Sequence, residues 1–498
     1  MLIRDARLVP VTPRSTPSDR PVDRPVDVLV EDGAVVAVGE RLPRPAGVEE
    51  VDAGGRWLTP GLWDQHTHLG QWALTSTRLD LSGTDSPEAA LDLVAAWLAE
   101  HPGQPLVGFG HRPAVWDRQP TVDELDHVAG PVPVVLIAGD AHHAWMSSWG
   151  QRALGLEVRD DNIYENEWFA AYDGLPGLVG NDGISPAGYR NALHRAAEKG
   201  VVGTVDFEFG GGPHDWIARW TEGCDLLRIR VAMYADRLEE VIEMGLRTGD
   251  RLLIGDDRLT MGPLKIISDG SLNTRTAWCC EAYRDGEMGA PNQSPEELHR
   301  LVERAWGAGL EVATHAIGDA AVRAALNVYA ATGAHGTIEH AQLITPADVR
   351  RMAGLAVRAS VQPAHLLDDR DLTEQIWPGR GDRCFAFRWM LDEGVPLVLG
   401  SDAPVAPLDP WLAIAAAVHR GDDEREPWHA EQALTPQEAL RASVDFQPTI
   451  DVGSRADLVL LDRDPLAPGE DSLEVARALR SMPVALTVVS GATVYSAL

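Results

Sequence analysis

The feature that most constrains this chain is an alternation running through its middle. Eight apolar, β-branched stretches recur there: Gly61–His68, Val201–Phe207, Ile229–Tyr234, Pro263–Ser268, Glu311–His315, Thr337–His340, Ala359–Gln362 and Pro396–Ser401. Many of the stretches between them carry helical periodicity, Pro295–Ala308 and Ala320–Ala331 among them. Continuous apolar runs of this length read as strands buried on both faces, and strands separated by helices pair in parallel. Eight such units predict an α/β fold, a (β/α)8 TIM-like barrel. With 498 residues the chain has room for that barrel and a smaller domain.

The ends of the chain read differently. Leu2 to Val11 alternates loosely, and Glu31-Asp32-Gly33 separates Val26–Val30 from Ala34–Val38 in a hairpin pattern. Val48 to Trp57 gives one more strand. Ala456–Asp462, Val484–Val489 and Gly491–Tyr495 are strands at the far end. Strands at both termini predict one small β-sandwich built from residues 1–57 and 441–498, with the barrel at 58–440. Residues 69–200 form a long insertion after barrel strand one. It carries strand candidates at Leu106–Phe109 and Val132–Ala138 and helical stretches at Pro87–Glu100 and Ala187–Lys199. Insertions of this kind sit over the C-terminal face of a barrel, where active sites are built.

Composition excludes several function classes. Forty-three basic residues face seventy-five acidic ones, a net charge of -32, which argues against nucleic acid or an anionic membrane as partner. No charged-then-apolar leader opens the chain, and no apolar run approaches the ~18–20 residues of a membrane span. Cys224, Cys279, Cys280 and Cys384 show no Cys-x-x-Cys spacing and read as reduced thiols of a cytoplasmic protein. A homodimer is left open.

The strand ends carry the chemistry. Residues two apart on a strand point the same way, so His66 and His68 can reach one point in space, as two ligands of a metal ion do. Strand four carries Lys265, strand five ends in His315, strand six in His340, and strand eight in Ser401-Asp402. An unpaired ammonium inside an apolar strand loses its hydration. Either an ion pair with Asp269 or a substrate carboxylate, or carbamylation to a carboxylate bridging two metals, would relieve Lys265. Five separate strand ends supply these residues, and all of them are predicted to face one mouth.

This set resembles the amidohydrolase superfamily, and most closely amidohydrolase family 3, the YtcJ-like branch. The resemblance rests on Pro60–His68, Pro120–Asp126, Lys265–Ala277, His315–Asp319, Ile338–Gln342, Val361–His365, Gly400–Pro404 and Gly453–Asp462. It implies a binuclear centre of two divalent ions, zinc first, with manganese, iron or cobalt as alternatives. His66, His68 and Asp402 would hold one ion, His315 and His340 the other, and carbamylated Lys265 would bridge them. A bridging hydroxide would attack a carbonyl while Asp402 takes its proton and delivers it to the leaving amine. The implied activity is hydrolysis of a non-peptide C–N bond in a small amide: an N-acyl or N-formyl amine or a carbamate. A cyclic-amide hydrolase, a deaminase and a catalytically reduced ligand-binding relative are the alternatives.

Within the stretch Asp140–Ser148, Ala141 replaces the glycine and Ser147 the asparagine that the family pattern leads one to expect. His142 aligns with a family histidine placed in the substrate pocket, though it or His143 could merely cap a surface turn. Arg275 could pair a substrate carboxylate or form a structural ion pair. Gln362 and His365 end strand seven and could contact substrate. Trp72, Trp116 and Trp145 lie in the insertion, where aromatic walls suit an apolar substrate, and Glu208 follows strand two toward the mouth. Ser443 to Val452 lacks the longer loop usual before the last Gly-x-x-Ala-Asp strand, which touches the sandwich.

Overall fold

The computed structural model describes residues 1–12, 24–75, 78–113, 116–172, 174–179 and 185–498. The parts of the expected N-terminal unit and insertion that fall between these ranges lie outside the described residues. Eight parallel strands form the expected barrel: β1 (Leu62–Thr67), β2 (Val201–Asp206), β3 (Arg228–Met233), β4 (Asp256–Ile267), β5 (Val312–Ala316), β6 (Gly336–His340), β7 (Arg358–Val361) and β8 (Leu397–Leu399). They pair in chain order. The ring closes just beyond β8, where Thr67 bridges Ala403, His68 N donates to Ala403 O and Asp402 N donates to His66 O, both at 2.8 Å. Closure is thus made by the segments that carry three of the candidate ligands.

Strands β1, β2 and β5 are buried along their whole length, as continuous apolar runs demand. Strand β4 starts earlier than the expected Pro263, because its first half pairs antiparallel with a short strand, Arg251–Leu253. Strand β8 is shorter than Pro396–Ser401: the chain turns out of the sheet at Gly400–Asp402, where Asp402 takes φ 58°. Ile267 pairs with His315 and Ala316 with His340, so neighbouring strands deliver their polar ends at adjacent levels. The two anticipated helices run over Pro295–Gly307 and Asp319–Thr332. The first opens on a capping box in which Ser294 accepts from Glu297 N and Glu297 accepts from Ser294 N.

Strands from both termini interleave in a second sheet, as expected. Trp57–Pro60 lies between Leu2–Leu8 and Leu458–Leu461. Leu458 and Leu460 enter a core shared with Ile3, Val28, Val30 and Leu58, while Val459 and Leu461 on the opposite face pack against the barrel. The two-residue side-chain period of a strand makes this one element a joint between two cores. The Asp32-Gly33 turn takes φ 48° and 75°, the left-handed pair that a tight hairpin requires. The single strand expected over Val48–Trp57 is instead two, Glu50–Asp52 and Trp57–Pro60, because Gly54 and Gly55 take φ 58° and 78° between them.

The insertion carries its own five-stranded sheet, in the order Ile163–Tyr164, His143–Met146, Val134–Ala138, Leu106–His111, Leu79–Asp80. The helices Pro87–Glu100 and Pro186–Glu198 match the two helical stretches read from the sequence. Among the described residues no helix is long and apolar enough to cross a membrane.

Candidate metal centre and active site

At the C-terminal mouth of the barrel His66, His68 and Asp402 converge. His66 Nε2 lies 3.4 Å and His68 Nε2 3.3 Å from Asp402 Oδ1. Donor atoms about 2.0–2.1 Å from a tetrahedral zinc ion lie roughly 3.3–3.4 Å from one another. Both imidazoles therefore stand at ligand spacing from the carboxylate, and the three residues place donor atoms within 4.8 Å of one another. The other ring nitrogen of His66, Nδ1, faces Glu339 Oε2 at 2.7 Å, with both side chains 1% exposed. A proton on Nδ1 donated to that carboxylate leaves Nε2 with its lone pair directed at the cluster.

Lys265 is buried with Nζ 3.0 Å from His66 Nε2 and 4.4 Å from the centre of the Phe207 ring. Burial lowers its ammonium to about 8, against the opposing pull of Glu339 and Asp402. Asp269, the alternative partner, is engaged elsewhere: its oxygens accept from Ile317 N at 3.0 Å and from Gly318 N and Trp278 N at 2.9 Å. His340 packs edge to face on His315, with ring centres 4.6 Å apart. Burial drives both imidazoles well below the usual histidine range, with neighbouring imidazoles adding to it, so both are neutral, the ligand form. Burial alone would raise the Asp402 carboxyl. His66, His68 and His340 outweigh it and hold the group well below the usual carboxylate range.

A second donor group forms beside the first. His340, His365 and Asp402 each place a donor atom within 4.8 Å of the others. His340 Nδ1, His365 Nε2 and His68 Nδ1 are buried without a hydrogen-bond partner. Buried imidazole nitrogens are normally paired, so this donor set fits divalent cations. His315, assigned from the sequence as the co-ligand of His340, belongs to neither three-residue group. Its Nε2 lies 3.4 Å from Gly270 O and 3.6 Å from Asp269 Oδ1.

The donor groups open into a cavity of about 1010 Å³, open solvent at its mouth included. One wall is aromatic: Phe209 stacks on His68 at 5.1 Å, on Phe169 at 5.5 Å and on Tyr234 at 5.2 Å between ring centres. His142 lines the cavity, with Nδ1 3.0 Å from Glu165 Oε2. Burial pulls its imidazole down, but the Glu165 carboxylate prevails and lifts it to about 9. Asp140 accepts from Ser271 Oγ at 2.9 Å and Asn273 Nδ2 at 3.0 Å, tying the insertion to the loop after β4. Ala141, standing where the family pattern has glycine, takes φ 59°, the left-handed conformation that glycine favours. Ser147 caps the helix Ser148–Ala153, accepting from Gly150 N.

Several sequence candidates are placed elsewhere. Arg275 is half exposed and pairs with Asp285 at 2.8 Å, the structural ion pair that was its alternative; the polar loop after β4 turns it to solvent. Trp116 and Trp145 pack together in the insertion core, where their indole N–H groups donate to Thr84 O and Thr121 O, so neither lines the cavity. Trp72 lines an adjoining groove that shares Pro404 and Val405 with the cavity. Gln362 is buried behind His66, with Nε2 3.5 Å from His66 Nδ1. Glu208 turns back to accept from Gln71 N at 2.8 Å, and its neighbour Phe209 forms the wall instead. Sequence reading overlooked Glu339, although it directly precedes His340 in a quoted motif. It also overlooked Glu165 and Phe169, which carry no local signal.

Residues 49–495 match the model of the amidohydrolase family. The putative amidohydrolase YtcJ of Bacillus subtilis is 26% identical over 94% of this chain and 95% of its own. The N-substituted formamide deformylase of Arthrobacter pascens is 27% identical over 94% of each. An uncharacterized metal-dependent hydrolase from Pyrococcus horikoshii OT3 superposes with a TM-score of 0.76 at 26% identity, covering 94% of this chain and 98% of the other. The chain belongs to the amidohydrolase family.

Proposed function

We propose that this enzyme hydrolyses a C–N bond other than a peptide bond in a small-molecule amide, such as an N-formyl or N-acyl amine or a carbamate. The observation that carries the reading is the ligand spacing of His66, His68 and Asp402 at the floor of a cavity with an aromatic wall. The similarity to a formamide deformylase supports the bond type.

In this reading His66, His68 and Asp402 would hold one divalent cation and His340 and His315 a second, with Lys265, as a carbamate, supplying a further oxygen donor to the pair. Zinc is the first candidate. Such cations supply Lewis-acid polarisation of a carbonyl and lower the pKa of water. Asp402 removes a proton from the attacking water and returns it to the departing amine nitrogen. Glu339 fixes the His66 tautomer. His142, held by Glu165, presents its other ring edge to the carbonyl substituent. The Phe169–Phe209–Tyr234 wall receives an apolar group and keeps bulk water from the reacting carbonyl. The chemistry belongs to the barrel at 58–440, framed by 1–57 and 441–498, in a cytoplasmic protein with reduced thiols.

The test is metal content per chain by elemental analysis, on protein purified without chelator and with bicarbonate present, followed by a panel of N-formyl amines, N-acyl amines and carbamates. About two divalent ions and amine release are expected. No metal after add-back, together with no turnover, would favour a ligand-binding relative.

A further inference from the structure

The groove beside the catalytic cavity encloses about 1360 Å³, open solvent included, and meets the cavity at Arg112, Asp368, Pro404 and Val405. In a chain with seventy-five acidic and forty-three basic residues the local balance is reversed: Arg78, Arg112, Arg195 and Arg480 line the groove against three acids. Two of those acids are engaged. Asp368 pairs with Arg112 at 2.7 Å, and Asp80 accepts from Ser82 N at 2.9 Å and Ser82 Oγ at 2.7 Å. The third, Asp422, is exposed.

Arg195 lies over the Trp72 indole, 5.3 Å from the ring centre, with Nε and Nη2 buried and without a hydrogen-bond partner. Arg78 donates from Nη2 to Tyr172 OH at 2.9 Å, while its Nη1 is buried and bare, as is Trp72 Nε1. Among the described residues neither arginine has a carboxylate partner. Stacking satisfies the face of a guanidinium and leaves its in-plane N–H bonds unmade. Arg195 sits in the last turn of the helix Pro186–Glu198, where the helix dipole favours a cation. That accounts for its position but not for its bare donors, since buried N–H groups are normally paired. Positive charge with fork-shaped donors matches the geometry of an oxyanion.

We propose that this groove binds an oxyanion, a carboxylate or phosphate group, through Arg195 and Arg78. The site lies apart from the metal donors, so binding stands independently of the hydrolase reading. The oxyanion has two possible sources: a free anion, or the anionic tail of a substrate that extends past Val405. Only the second rests on the hydrolase reading.

The first arm of the test is calorimetric titration of inorganic phosphate into the full-length protein as purified. Affinity should fall about 10–100-fold in Arg195→Gln and in Arg78→Gln, and Arg195→Lys, which keeps the charge, should lose less than Arg195→Gln. A measurement on unaltered protein guards against misfolding: after phenylglyoxal treatment, peptide mass spectrometry should show Arg195 protected by phosphate. The second arm compares kcat/KM for two N-formyl amines of equal length, one ending in a carboxylate and one in a carboxamide. A preference for the carboxylate of about tenfold or more, lost in Arg195→Gln, assigns the groove to the substrate. Equal kcat/KM with phosphate binding dependent on Arg195 assigns it to a free anion. The proposal is overturned if neither phosphate affinity nor carboxylate preference responds to Arg195→Gln and Arg78→Gln. It is also overturned if Arg195 is modified equally with and without phosphate and shows no carboxylate preference. Turnover of neither formamide, with Arg195-dependent phosphate binding intact, would defeat the hydrolase reading and leave the oxyanion site standing.

Discussion

His66 Nδ1 and Glu339 Oε2 lie 2.7 Å apart, both buried, on strands separated by most of the barrel in sequence and adjacent across its interior. The carboxylate gives the imidazole a single tautomer and aims Nε2 at His68 and Asp402. Glu339 therefore acts through His66, as a residue that positions the ligand.

Removing that carboxylate should weaken metal binding without unfolding the barrel. Glu339→Gln is expected to lower affinity at the His66 group about 10–100-fold, read by competition with a chelator of known affinity. Unchanged affinity would mean that His66 is oriented by packing alone.

Asp402→Asn keeps an oxygen donor but cannot accept a proton at the pH of the reaction. Turnover should fall by about 10²–10⁴-fold while at least one metal ion remains bound. A variant with full activity would remove Asp402 from proton transfer.

The lowered ammonium of Lys265 has a consequence for activation. Carbamylation needs the neutral amine, and burial brings the group to about 8. Roughly one tenth is then neutral at pH 7 and roughly nine tenths at pH 9. In metal-free protein at fixed dissolved CO2, the 13C carbamate signal should form about tenfold faster at pH 9 than at pH 7. An amine at its ordinary value would give a rise nearer 100-fold, and no signal at either pH would argue against the bridge.

Asp445 holds a network below the site. It accepts from Arg230 Nη1 and Nη2 at 2.7 Å, from Arg455 Nη2 at 2.9 Å and from Gln65 Nε2 at 3.1 Å. The arginines are about one-third exposed, at 32% each, so water softens the loss of their counter-ion. Asp445→Ala should cost about 2–3 kcal/mol, measured as a lower denaturation midpoint with metal content unchanged.

What the sequence determined by itself was local and periodic. Alternation of apolar strands with helices was enough for eight barrel strands in the right order. The His66-x-His68 spacing was enough to send both imidazoles to one side, because side-chain direction along a strand repeats every two residues. Hydrophobic period also announced the sandwich strands at both ends. Tertiary structure decided which side chains meet across the barrel. Glu339 reaches His66 because closure brings β6 opposite β1 across the barrel interior, and no spacing in the chain encodes that distance. His365 joins His340 only through the turn between β7 and its helix. His315 turns toward Gly270 because Asp269 pins the following loop by its amides. Trp116 and Arg275 went to a core and to solvent for the converse reason: their loops were free to pack where burial or water favoured them. A strand's period is written in consecutive residues, whereas a site across a barrel depends on register, closure and loop packing together.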